Sequence, residues 1–256
     1  MDVSFHHEDA SIACAGIVIY EVDNNKSSSS SSSNRQSIKC IYTHCHYVRL
    51  NAPFITSFLV FREYNAYHEL LSLIPRHIYP QLVCFDGNGL FHEIKFGMAC
   101  HVGVLHDFIS IGVSKTFSYL TQYRFRTWPH FNDDASIEEY VRDKQMQKND
   151  SIPIRTKTNE VANECVETLA YMFINSDDDR TPVFISAGHR INVESCLEFM
   201  KRLSLWQETL SEEGSGKKSK SFFKRDSCVP LLVDHADKMT RRAIVDLDKN
   251  ELLFKY

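Results

Sequence analysis

The strongest constraint on this chain is a change of hydrophobic period near residue 60. Ser11 to Tyr20 is a nearly unbroken apolar run rich in Ile and Val, and Ile38 to Leu50 is β-branched and aromatic. Both read as strands. Together with Ser4 onward they predict an antiparallel meander, with Asp2 in its first strand. From Glu63 the period becomes helical: Tyr67, Leu70, Leu71 and Ile74 recur at helix spacing and Pro75 ends the run. Short strands and helices then alternate: Leu82–Phe85 (strand), Met98, Val102 and Leu105 (helix), Phe108–Val113 (strand), Val183–Ser186 (strand), then a helix capped by Asn192. A meander followed by such alternation predicts an α/β domain with a mixed sheet.

Other segments carry less pattern. Seven consecutive serines, Ser27–Ser33, lie within 24–37. That stretch and the Gly/Ser/Lys-rich Ser211–Lys224 read as flexible loops of one domain spanning 1–256. Trp128–Ser151 reads as a polar surface excursion. Tyr119–Trp128 interleaves aromatic and basic residues, as a surface for single-stranded nucleic acid does. An ordinary amphipathic strand reads equally well.

Net charge is −4, so any nucleic-acid contact needs a local patch. The eight cysteines are scattered without a CxxC pair. They read as reduced, buried thiols of an intracellular protein, cytoplasmic or nuclear. The start of the chain offers no secretory signal, and no apolar run is long enough for a membrane span. Cys40, His44, Cys45 and His46 cluster, but alternate strand faces cannot close a tetrahedral zinc site.

Chemistry-bearing residues gather at element ends. Asp2 sits in the first strand, Glu63 opens the first helix, Asp86 ends a strand, and Lys115 and His189 each follow one. Sites on open α/β sheets form outside the carboxyl ends of strands, so these residues are expected to converge. Asp2, Glu63 and Asp86 would offer hard oxygen ligands suited to Mg²⁺, and a cation beside a Lys and a His suits phosphodiester hydrolysis. Lys115 could offset charge on the reacting phosphate, and His189 could position water or move a proton. Each residue alone also has a plain reading: Asp86 as a turn residue, Lys115 as a solvated charge, His189 as a loop histidine, Glu63 as a favourable helix start.

The order of motifs is more specific. Met1–Phe5 resembles the "DVSF" start of the endonuclease V family, and Pro53–Glu63 its "PYxxGFLxFRE" block. Asp86-Gly87-Asn88-Gly89 with His92 and Phe96-Gly97 resembles "DGxG…H…FG". Gly97–Leu105 resembles the eukaryotic form of the next segment. Ile111–Lys115 resembles "GVAK", and Pro182–Arg190 resembles "PvyvSxGHR". The resemblance covers residues 1 to about 200. It implies a ribonuclease H-like mixed sheet flanked by helices. It also implies cleavage of the second phosphodiester bond 3′ to a deaminated purine, with Mg²⁺ or, in its place, Mn²⁺.

Carried over by position, Asp2 and Asp86 would hold the metal, and Glu63 would orient water or a second metal. Lys115 and His189 would act near the phosphate. Pro53, Phe54, Ile55 and Thr56 would form a wedge beside the lesion. Ser57, Leu59, Gly87 and Met98 would line the base pocket, largely through backbone, with His92 and Lys95 close by. Backbone suits the task, because hypoxanthine presents an O6 acceptor and an N1–H donor where adenine presents the reverse.

Departures from the family pattern are Phe54 for the wedge Tyr, Thr56 and Ser57 for smaller residues, and Glu93-Ile94 for a bacterial Pro-Arg. Lys95 could compensate for the missing phosphate contact. Asn88 agrees with eukaryotic members, which favour inosine in RNA over DNA. The implied partner is a single strand carrying inosine, bound by a monomer. The rivals are a non-cleaving binder of inosine RNA and a scaffold acting through the 211–224 loop. Family members place several apolar residues ahead of the first Asp, so the reading also expects a frayed first strand and a shortened gene product.

Overall fold

The computed structural model describes residues 1–23, 37–55, 57–157, 165–177, 180–213 and 230–249. The serine run, Thr56 and the Gly/Ser/Lys-rich stretch from 214 lie outside the described residues. The meander is present as β1 (Asp2–Phe5), β2 (Ile12–Asp23) and β3 (Ser37–Arg49), an antiparallel three-stranded sheet. After it come α1 (Val60–Ser72), β4 (Leu82–Asp86), α2 (Met98–His106) and β5 (Ile109–Ser114). Next are α3 (Tyr119–Phe125), β6 (Thr127–Trp128), α4 (Asp134–Asp143), β7 (Ser151–Lys157), β8 (Cys165–Phe173) and β9 (Val183–Ala187). Two long helices finish the described chain, α5 (Val193–Glu213) and α6 (Leu231–Lys249). A second, mixed sheet runs β4-β5-β9-β8-β7-β6. Only β4 and β5 pair in parallel within it.

The two sheets meet at one rung. The Met1 amine donates to the Cys84 carbonyl at 2.7 Å, and the Asp86 amide donates to the Met1 carbonyl at 3.1 Å. These bonds set β1 parallel to β4, with Asp2 beside Asp86. Met1 and Asp2 are buried, so β1 is held from both sides and the expected fraying is not what its geometry shows.

Strand alternation divides the meander. Val3, Ala13, Ala15 and Ile17 pack under α1 and α2 with Leu70, Leu71 and Val102. The opposite face turns to α6: a Cβ added at Gly16 would lie 2.4 Å from Thr240 Cγ2. A second core packs β5 and β9 against α5 through Ile111, Ile185, Cys196 and Met200. A third gathers Phe91, Phe117, Phe131, Ile154 and Leu169. No described helix is long and apolar enough to cross a membrane.

Two expectations are corrected. Tyr119–Phe125 is a helix, because its buried positions Thr121 and Gln122 face the third core while Tyr123 stays exposed. Trp128–Ser151 is not a bare excursion. Asp133 and Ser136 form a capping box that starts α4, and Phe131, Ile137, Val141 and Met146 are buried. Among the thiols, Cys14, Cys84, Cys100 and Cys196 are buried, whereas Cys40 is exposed and Cys45 half-buried.

Candidate active site

Register brings the first carboxylates together. Asp2 and Asp86 occupy neighbouring positions on parallel strands, so their side chains leave the same face. Lys115 follows β5 two residues beyond Val113, the partner of Asp86. Its ammonium bonds Asp86 Oδ2 at 2.7 Å and Asp237 Oδ1 at 3.2 Å. Asp237 comes from α6. Ligand oxygens of Asp2, Asp86 and Asp237 all lie within 4.8 Å of one another. Glu63 enters from the first turn of α1, and is 2% exposed. Asp2, Glu63, Asp86 and Asp237, with Leu59 and Arg241, line an open cleft of about 670 Å³.

α6 holds the cluster as well as contributing to it. Thr240 Oγ1 donates to Asp2 Oδ2 at 2.7 Å and lies 2.8 Å from the Ser4 hydroxyl. Arg241 Nε donates to Asp237 Oδ2 at 2.9 Å. Asp2 faces Gly16 across the β1–β2 pair, and the missing side chain at Gly16 lets α6 come close enough for these bonds.

The electrostatics follow from crowding acids in a poorly solvated cleft. Burial first, then the charge of Asp2, pushes Glu63 well above the usual carboxyl range; the Tyr67 hydroxyl partly offsets this. Burial also raises Asp86, against the opposing pull of Lys115. Burial lowers Lys115, but Asp86 and Asp237 outweigh it and hold the ammonium above its ordinary value. The cluster is therefore short of positive charge, which one lysine and a mostly exposed Arg241 only partly supply. Hard oxygen donors with surplus negative charge are the donor set a divalent cation such as Mg²⁺ takes.

His189 does not join them. β9 runs antiparallel to β5, so its carboxyl end lies at the opposite end from the carboxyl ends of β4 and β5. The His189 carbonyl accepts from the Ser110 amide, at the start of β5, and its Nε2 lies 3.4 Å from Asp107. The expected convergence assumed strand directions that the sheet does not have.

Of the other expected positions, Leu59 lines the cleft and the rest of those described lie outside its lining. Phe54 and Ile55 are 63% and 52% exposed, on a loop with exposed Pro53. Ser57 adopts a left-handed φ of 68°, and its carbonyl accepts from His92 Nε2. The other ring nitrogen of buried His92 accepts from the Ile94 amide at 3.4 Å, so His92 anchors the wedge loop. Gly87 has φ 153°, and a Cβ there would sit 3.4 Å from Met98. The Asn88 side-chain oxygen is buried without a hydrogen-bond partner. The Lys95 ammonium bonds Glu167 and lies 4.8 Å from the Phe125 ring centroid, so its charge is already engaged.

Asp237 and Thr240 were not among the expected residues. The signal for them is the stripe Val233, Ala236, Thr240, Ile244 and Leu247, buried in α6 at helical spacing. Asp237 sits at its edge.

A mixed α/β sheet with clustered carboxylates on adjoining parallel strands beside a lysine defines a class, the α/β proteins with an acidic site able to hold a divalent cation. The model of the Endonuclease V family matches residues 1–208, and the chain belongs to that family. Human endonuclease V is 29% identical over 201 residues, covering 77% of this chain and 61% of the human protein. The mouse protein is 30% identical over 198 residues, covering 76% and 50%. The chain thus spans between half and 61% of the length of these relatives. The crystal structure of the catalytic domain of human endonuclease V superposes with a TM-score of 0.69 at 25% identity, over 97% of this chain and 82% of that one. A Ciona intestinalis endonuclease V in complex with a 24mer DNA containing an inosine followed by a ribo-adenosine shares the fold, with TM-score 0.67 at 22% identity over 96% of this chain and 84% of that one.

Proposed function

We propose that this chain is a divalent-cation-dependent endonuclease that cuts a phosphodiester bond 3′ to inosine in single-stranded nucleic acid, RNA ahead of DNA. The observation that carries it is the set of three aspartates with mutually close oxygens beside Lys115. Asp2, Asp86 and Asp237 would hold Mg²⁺, or Mn²⁺ in its place. Such an ion supplies Lewis acidity at the phosphoryl oxygen and lowers the pKa of a bound water. Lys115 offsets charge on the phosphate. Glu63, brought to the cluster by α1, would give up its proton when a cation binds beside it and could then orient the attacking water or accept a proton from it. Phe54 and Ile55, exposed on a loop anchored by His92, would separate the lesion from its neighbour. Ser57, Leu59, Gly87 and Met98 supply the base pocket. The RNA preference rests on the eukaryote-like Asp86–Gly89 and Gly97–Leu105 segments.

The test compares matched strands carrying inosine, adenosine or guanosine, as RNA and as DNA. Cleavage of the inosine strand alone is expected, since a wrong base leaves buried backbone partners unpaired and costs orders of magnitude. Equal rates on inosine and adenosine would refute the proposal. Faster cutting of DNA would overturn the RNA preference.

A second measurement needs no substrate. A carboxyl whose folded pKa lies above its unfolded value, about 4.3 for Glu, is held protonated by the fold. Its stabilisation is complete below the unfolded pKa and lost as pH rises through the folded one. The melting temperature of the cation-free protein is therefore expected to fall as pH rises across the Glu63 window. Mg²⁺ should flatten the fall, and Glu63→Gln should remove most of it. A flat profile in cation-free wild type would contradict the assignment.

A further inference from the structure

α1 has a second face that the proposed chemistry does not use. Phe58 just before the helix, then Phe61, Tyr64 and His68, recur every third or fourth residue, so they share one side. Phe96 and His101 join them from α2 and the loop before it. The rings form a chain: Phe58 to Phe61 at 6.1 Å, Phe61 to His101 at 5.7 Å, Phe96 to His101 at 5.6 Å, and Tyr64 to both His101 and His68 at 5.9 and 5.8 Å. They are only partly covered by one another. Phe61 remains 62% exposed and Phe96 39%.

We infer that this aromatic strip is a stacking track for the unpaired bases on the 5′ side of the inosine. The inference rests on the nuclease reading and extends it. Three features choose the occupant. The strip adjoins the exposed wedge residues Phe54 and Ile55, since the Phe58 amide donates to the Ile55 carbonyl, and Phe96 leads through Gly97 to Met98, so it offers a path to a strand held in the pocket. It also presents exposed aromatic rings, Phe61 and Phe96, beside a helix, α2, that carries no acid to repel a nucleic-acid strand. Every base has a π-face, so such rings take stacked bases whatever the sequence. Finally, Phe61 is exposed on α1 while Glu63, two residues on and so on the other side of the helix, is buried in the cleft with the carboxylates. The cut bond is 3′ to the inosine, so the strand on the strip is the 5′ flank.

Binding measured by fluorescence anisotropy in EDTA tests this without cleavage. The probes are inosine single strands with a long 5′ tail, an equally long 3′ tail, or the 5′ side truncated at the inosine. The wild-type chain is expected to bind the 5′-tailed strand about tenfold more tightly than the truncated one, a gain within the range for one stacked base. Phe61→Ala should lose most of that margin, keep wild-type affinity for the truncated strand, and cut it in Mg²⁺ at the wild-type kcat. Phe61→Trp should keep the margin. An equal gain from the 3′ tail, no gain from the 5′ tail, or an unchanged margin in Phe61→Ala overturns the inference. Because Phe61 is so exposed, its variant should melt with wild type; if it does not, Tyr64→Ala repeats the test. Absence of inosine preference or cleavage in wild type would defeat the nuclease reading, while the tail comparison still decides the strip.

Discussion

Replacing Asp237 with asparagine is expected to lower the cleavage rate by more than 100-fold and leave the fold intact. Changes to groups that merely support a metal ligand cost about 10–100-fold, and Asp237 offers an oxygen to the cluster itself. The variant keeps the shape and loses the charge, so Arg241 and Lys115 each lose a carboxylate partner. Both partners are partly exposed, so the cost in stability should be small. His189→Ala is the matched control. With its ring against Asp107 at the far end of β5, it should cut near the wild-type rate. Isothermal calorimetry with Mg²⁺ should show weaker binding for Asp237→Asn and an unchanged affinity for His189→Ala. If His189→Ala is the inactive protein and Asp237→Asn the active one, the site has been drawn around the wrong residue.

The second large effect is expected where no functional group exists. Gly16→Ala places a methyl 2.4 Å from Thr240 Cγ2, 3.1 Å from Met239 Cε and 3.6 Å from the Ala236 carbonyl. Met239 can swing aside, and the carbonyl distance is ordinary contact. Thr240 is fully buried, so α6 must move. Overpacking of this kind costs about 1–3 kcal/mol, which a melting curve reads. Shifting α6 also pulls Thr240 off Asp2 and Asp237 off the cluster. The rate should fall by about 10–100-fold, as for other losses of support around a metal ligand. Adding Thr240→Ser removes the colliding methyl and keeps the hydroxyl, so the double variant should regain most of both losses. Failure of that rescue would mean the helix is not what Gly16 admits.

Much of the fold and part of the site were legible in the sequence. The period change near residue 60 separated the meander from the alternating region. Asp86 and Lys115 could be placed because one ends and the other follows a strand of the parallel pair, and Asp2 because it lies in the first strand. His189 met the same local description, but strand direction is a property of pairing, and β9 reaches its place through antiparallel β8. Nothing within five residues of His189 encodes that. Asp237 was hidden for a different reason: α6 carries a regular buried stripe, yet its polar residues, read alone, look like a solvated helix face. Its role appears only once Gly16, more than 200 residues away in sequence, is known to lie beneath it. The segment 119–125 misled because alternating rings and arginines fit a strand as well as a helix until buried Thr121 and Gln122 are seen.

The bonds from Ser4 and Asp2 to Thr240 join positions 236 and 238 residues apart. A ribosome delivers the N-terminal strands first, at about 5–20 residues per second, so most of the chain must emerge before α6 can close on them. Through that interval the nascent protein holds Asp2 and Asp86 without the helix that steadies one and completes their group. Contacts of such long range also come late in folding, since the intervening chain must first be ordered. The three-aspartate group is therefore assembled only once α6 has been made, and does not build up gradually as the chain lengthens.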